Sequence, residues 1–196
     1  MGVTAGCGTV TPPAAVQPRA AAPAGQAPPG PVTRARVGVP APSTRVHFVP
    51  TSVELADGSD AAVLPAATVD GRLAVPENVG HVGWWDGSAY AGDPFGSTVI
   101  AGHVDSAAEG LGYFARLLRV EPGDEVTLSD GRHRARYRVT QVTTVARRAL
   151  ATSSAAFDQS GDARLVLITC AGAYRAEQGG YDSNLVVTAE AIGLAR

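Results

Sequence analysis

The sequence predicts a mainly β fold, a closed or sandwiched antiparallel sheet of about eight short strands, and three observations predict it. From about residue 45 onward, short apolar or alternating runs are separated by Gly, Pro and Asp, the texture of strands joined by turns. Within 133–144, Ala135, Tyr137 and Val139 alternate with Arg134, Arg136 and Arg138, a period of two that sends one set inward and the arginines to solvent. Only one stretch of any clarity, 113–118, reads as helical, and its two turns are too short to stand alone.

The chain opens on different material. Nine of the 14 prolines precede residue 43, in an Ala/Pro/Gly/Thr/Val segment with no period near 2 or 3.6. Residues 1–43 are therefore expected to be a disordered, partly polyproline-II spacer, and 44–196 the folded domain. Thr4-Ala5-Gly6-Cys7 resembles the small-small-Cys box of bacterial lipoproteins, but only six residues precede Cys7, fewer than a signal segment needs. Lipidation of Cys7 and an incidental cysteine both stay open.

In the domain, the expected strands are 45–49, 62–64, 72–75, 97–103, 125–128, 133–144, 165–169 and 185–189. Asp130-Gly131 marks the clearest hairpin, as a two-residue turn. A second, weaker helical segment is expected at 153–158.

Composition narrows the function. With 196 residues, 45% apolar and 17% charged, the chain is globular rather than wholly disordered. All 16 basic residues are arginine, yet the net charge is -2, so nothing draws the protein to nucleic acid or anionic lipid. No run approaches the roughly 20 apolar residues of a membrane-spanning helix.

Two residues carry the chemistry. Cys170 follows the apolar run Leu165-Val166-Leu167-Ile168-Thr169 and precedes Ala171-Gly172-Ala173, which continues a strand poorly. The sulfur is thus expected where a buried strand emerges into a loop, rigid on one side and accessible on the other. His103 likewise closes the run Ser97-Thr98-Val99-Ile100-Ala101-Gly102. Taken singly, each has a plain structural reading, a buried inert thiol and a satisfied strand-end histidine. Together, at one rim of one sheet, they make a thiol–imidazole pair able to perform covalent acyl transfer. Asp105 either orients His103 or solvates a loop. His47, His81 and His133 have no metal-ligand spacing, so neither a metal site nor a cofactor is expected.

Ile100-Ala101-Gly102-His103-Val104-Asp105 and Leu165-Val166-Leu167-Ile168-Thr169-Cys170-Ala171-Gly172, with His103 and Cys170 67 residues apart, resemble the signature pair of sortases, cysteine transpeptidases of the Gram-positive cell surface. Pro76, Val82-Gly83-Trp84-Trp85, Gly92-Asp93-Pro94-Phe95-Gly96, Gly123-Asp124-Glu125-Val126 and Tyr181-Asp182-Ser183-Asn184-Leu185-Val186-Val187 resemble the actinobacterial class F group. The resemblance spans roughly 45–192 and implies a closed sortase-type barrel of about eight strands with short helices.

The resemblance also implies roles. Cys170 is the nucleophile that forms a thioacyl intermediate with an LPXTG-type sorting-signal peptide. His103 is the acid for the leaving amine and then the base for the incoming one. Thr169, Trp84 and Tyr181 border the substrate, although Trp84 and Trp85 also suit plain packing. The family's arginine on the strand after the cysteine has no counterpart in 181–187, so Arg175 or Asn184 is the expected stand-in. The implied acceptor is an amine such as a peptidoglycan cross-bridge or lipid II. The implied location is extracytoplasmic, with the proline-rich spacer lifting the domain off a membrane to which an upstream segment tethers it. Two other readings remain: another cell-wall cysteine acyl-transfer hydrolase, and a catalytically silent barrel that binds peptides.

Overall fold

A computed structural model describes residues 45–196 except Ser154 and Leu194. The expected spacer 1–43 and Cys7 lie outside the described residues. Twelve strands follow in chain order: β1 Ser52–Glu54, β2 Asp60–Ala66, β3 Thr68–Val69, β4 Arg72–Leu73, β5 Val82–Trp85, β6 Ser97–Gly102, β7 Asp105–Ser106, β8 Gly110–Leu111, β9 Glu125–Ser129, β10 Arg134–Ala146, β11 Arg164–Arg175 and β12 Gly180–Ala191. Eight of them close a barrel in the order β1-β2-β5-β6-β11-β12-β10-β9, with β9 pairing back to β1. Strands β3/β4 and β7/β8 form two small ladders of their own. A 3-10 helix, Tyr113–Arg119, follows β8; an α-helix, α1, Arg147–Ser153, follows β10, and a 3-10 turn Ala155–Phe157 comes next.

The closed mainly β barrel is the fold the sequence implied, but its pairing is mixed. β2 pairs with β5 and β6 with β11 in parallel, and the remaining barrel pairings are antiparallel. Parallel neighbours need a long crossover, and the 61 residues between β6 and β11 supply one that itself contributes β9 and β10.

Local differences have local causes. The expected strand at 45–49 is a single bridge between Phe48 and Ala91, because Pro50 has no N–H with which to extend the ladder. The expected strand at 72–75 is β4, which pairs only with β3 outside the barrel, and the barrel count is made up by β1 and β5. At the Asp130-Gly131 hairpin, Ser129 pairs with Arg134, so the loop has four residues rather than two. The Asp130 carboxylate accepts from the Arg132 N–H at 2.8 Å and the His133 N–H at 2.6 Å and so closes the turn itself. Helix α1 starts six residues before the helical segment expected at 153–158.

The period-two pattern of the strands builds two cores, one on each face of the barrel wall. Leu165 and Leu167 of β11, Leu185, Val187 and Ala189 of β12, and Tyr137 and Val139 of β10 fill the interior with Val126, Leu128, Phe114 and Leu117. Their sequence neighbours Val166, Ile168 and Val186 face the other way and pack with Val99, Ala101 and Ala156 under Leu73, Val75, Leu150 and Phe157. The crossover segments thus roof the outer face of β6, β11 and β12. Arg134, Arg136 and Arg138 are exposed while Ala135, Tyr137 and Val139 are buried, as the alternation requires.

Candidate active site

The parallel pairing of β6 and β11 fixes the site. Register runs from Arg164 opposite Ser97 to Ile168 opposite Ala101, and both strands point the same way. Two residues further along each strand stand Cys170 and His103, so both arrive at the same rim. A buried hydrogen bond ties the last step: the Thr169 hydroxyl donates to the Gly102 carbonyl at 2.9 Å. Gly102 has no room for a side chain, since a Cβ there would lie 2.8 Å from both the Phe114 ring and Val82. The residue before each reactive group is thereby clamped: Cys170 sits within β11, and His103 is the first residue past the end of β6.

Strand β11 does not end at the cysteine as expected. It continues to Arg175 after a register break between Ala171 and Tyr174. Gly172 sits in the break at φ 85°, and a Cβ there would collide with the Asp182 carboxylate. The β11–β12 hairpin therefore rises past Cys170 as a wall.

Cys170 and His103 are both half-buried and both line a cleft of about 690 Å³. Its apolar side is the roofed outer face of the barrel: Leu73, Val75, Leu150, Phe157 and Ile168. A smaller cleft of about 330 Å³ also contains Cys170, His103, Arg147 and Gly179, with Asp105, Tyr174 and Tyr181 completing its polar side. The sulfur therefore stands where an apolar groove meets a polar one. No group of three or more His, Cys, Asp or Glu placed to hold a metal occurs among the described residues.

Burial pushes the Cys170 thiol above its ordinary pKa, the negative charge of Asp105 pushes it further, and the positive charge of Arg147 opposes both. The resting sulfur is thus a protonated thiol at neutral pH. Asp105 is engaged elsewhere: its carboxylate accepts from the Tyr181 hydroxyl at 2.6 Å, and that bond raises Tyr181 to about 12. No side chain among the described residues hydrogen-bonds the His103 ring, so the site is a Cys–His pair without a carboxylate on the imidazole. The rate of Cys170 alkylation by iodoacetamide is expected to rise with pH and to be still rising at about pH 9, above the ordinary thiol midpoint of about 8.5. A plateau reached below pH 8 speaks against this electrostatic picture.

The family model for the sortase domain matches residues 54–192, which contain the whole barrel except the first two residues of β1. The chain belongs to the sortase family.

Solved sortases share its fold. SrtA sortase from Actinomyces oris is 18% identical, with 76% of this chain and 82% of that one covered at a TM-score of 0.56. Sortase A from Corynebacterium diphtheriae is 22% identical over 76% of this chain and 63% of that one, TM-score 0.56. Listeria monocytogenes sortase A is 22% identical over 74% and 88%, TM-score 0.55. No curated protein matches the sequence.

The other expected residues of this sortase domain are placed unevenly. Asn184 lies directly opposite Cys170 across β11 and β12, is 9% exposed, and lines the larger cleft. Tyr181 borders the smaller cleft. Arg175 borders neither; its Nε lies 3.4 Å from the Asp182 carboxylate on the exposed hairpin. Trp84 is buried in the interior core, where its Nε1 donates to the Ala89 carbonyl at 3.3 Å, and it lines neither cleft. Thr169 is at the cleft floor, but its hydroxyl is committed to Gly102.

The cleft's one charged residue that acts on the sulfur from a neighbouring strand end was not among the expected site residues. Arg147 lines both clefts, and its positive charge acts on Cys170. The alternation of β10 gives no signal for it, because the strand shifts register between Val139 and Gln141 and Arg147 already begins α1.

No helix among the described residues is long and apolar enough to cross a membrane.

Proposed function

We propose that this sortase is a cysteine transpeptidase that cleaves an LPXTG-type sorting signal and transfers the acyl part to an amine at the cell surface. The observation that carries the reading is the arrival of Cys170 and His103, from two adjacent parallel strands, at one cleft with an apolar groove beside the sulfur. The Cys170 thiol gives its proton to the His103 ring, and the sulfur attacks the scissile carbonyl carbon. The carbonyl π pair moves onto oxygen, then returns to expel the amine, which takes the proton from the imidazolium. An incoming amine reverses the sequence: it attacks the thioester, loses a proton to His103, and releases the Cys170 thiolate, which recovers that proton.

The apolar groove of Leu73, Val75, Leu150 and Phe157 suits an extended, mostly uncharged peptide. The class F resemblance of the sequence supports an actinobacterial surface as the setting. The acceptor is an amine of the peptidoglycan cross-bridge or lipid II type, and the domain is tethered to the membrane from its N-terminal side.

A second reading, a silent peptide-binding barrel, draws on Asp182, Ser183 and Asn184, which occupy β12 beside the cysteine without a cation. Product analysis separates the readings. Incubation with an LPXTG-type peptide is expected to give the shortened acid, and addition of a glycine-based amine to divert it to the amide. Hydrolysis unaffected by amine points to a cysteine hydrolase, and binding of the peptide without turnover by the fully reduced protein points to the silent barrel.

A further inference from the structure

A tetrahedral intermediate at Cys170 places a full negative charge on the former carbonyl oxygen, and removing one donor for such an oxyanion typically slows an enzyme a hundredfold to a thousandfold. Some group must meet that charge in a cleft whose nearby carboxylate, Asp105, repels it. Strand β12 offers no cation within 181–187, and Arg175 is turned to Asp182.

Register shows where a cation does come from. Cys170 of β11 stands opposite Asn184 of β12, and Asn184 stands opposite Val145 of β10. The three form one row across the outer face of the barrel. Arg147 lies two residues beyond Val145, at the first position of α1. It borders both clefts that contain Cys170 and His103. Its Nη1 donates to the Gly179 carbonyl at 3.1 Å and its Nη2 to the Gln178 carbonyl at 2.6 Å. A guanidinium has five N–H donors, so three remain after these two bonds.

We infer that Arg147, delivered from the end of β10 rather than from the strand after the cysteine, is the group that holds the substrate carbonyl oxygen as it becomes anionic. The bonds to Gln178 and Gly179 orient the guanidinium plane before substrate arrives, so little reorganisation is needed when charge develops. The same two bonds tie the tip of the β11–β12 hairpin to α1. The charged or titratable groups around Cys170 are Asp105 from β7, Tyr174 from β11, Tyr181 from β12, His103 after β6, Arg147 and Arg148 from α1 and Arg72 from β4. Of the three arginines, Arg147 alone lines both clefts and acts on the Cys170 thiol by its charge.

This inference rests on the transpeptidase reading, and the experiment keeps the two apart. Wild type, Arg147→Ala, Arg147→Gln, Arg147→Lys and Arg175→Ala are compared for kcat and KM on an LPXTG-type peptide, and for the pH profile of iodoacetamide alkylation of Cys170. Arg147→Ala and Arg147→Gln are expected to lower kcat by about a hundredfold to a thousandfold, with a much smaller change in KM, and to move the alkylation profile to higher pH. Arg147→Lys, which keeps the charge but not the planar fork, is expected to restore part of kcat and most of the alkylation profile. A role confined to clamping the hairpin changes KM and thermal stability and leaves the alkylation profile in place.

The assignment is overturned if correctly folded Arg147→Gln cleaves within about threefold of wild type, or if Arg175→Ala loses as much as Arg147→Ala. A wild type that is alkylated at Cys170 but cleaves no peptide, with or without amine, overturns the transpeptidase reading and this assignment with it.

Discussion

Cys170→Ala is expected to abolish cleavage of an LPXTG-type peptide while leaving the barrel folded. The side chain is half-buried at the mouth of a cleft and packs at the end of the outer core rather than in its middle. Truncation to alanine therefore removes a reactive atom without opening a deep cavity, and the thermal unfolding midpoint should stay within a few degrees of wild type. Activity has no comparable reserve. His103 alone can move protons but cannot form the thioester, and Asp105 is occupied by Tyr181. Peptide turnover followed by chromatography, with far-UV circular dichroism on the same samples, checks both halves. Retained turnover in the alanine variant removes the nucleophile from the account.

Phe114→Ala is expected to have the largest effect on stability, about 3–5 kcal/mol. Phe114 is fully buried in the 3-10 helix that crosses one end of the barrel, and its ring is the surface on which Gly102 rests. Removing the ring leaves a void beneath the residue that precedes His103. A domain of this size holds only about 5–15 kcal/mol in total, so urea denaturation should show a large fall in the midpoint. Activity of the folded fraction should also drop, because the support of the imidazole-bearing strand end is lost. Wild-type stability in Phe114→Ala contradicts the described packing.

Much of this was legible because strand chemistry is local. The runs before Cys170 and His103 are continuous and rich in Val and Ile, so their burial and their polar ends follow from the residues themselves. The alternation of Arg134, Arg136 and Arg138 fixed which face of β10 is wet. What escaped depends on relations across strands. Ser52-Val53-Glu54 is too short to read as a strand and Gly83 interrupts β5, whereas the apolar runs at 45–49 and 72–75 read as barrel strands and are a single bridge and a side ladder. Parallel pairing of β6 with β11 is not written in either strand; it arises from the 61-residue crossover between them. The burial of Trp84 in the interior core and the bond of the Thr169 hydroxyl to Gly102 follow from register, which no single segment carries. Arg147 is the clearest case: 23 residues before Cys170 in the chain, it comes to the site only because β10, β12 and β11 lie side by side.

The central claim is that the Cys170 sulfur becomes covalently acylated by the sorting peptide. Intact-protein mass measured within the first turnover after mixing with an LPXTG-type peptide, in the absence of amine, tests it most directly. The expected result is an adduct equal to the acyl half of the peptide, located on Cys170 by fragmentation, absent from Cys170→Ala, and discharged when amine is added. Peptide cleavage with no adduct at Cys170, or with an adduct that survives in Cys170→Ala, would contradict it.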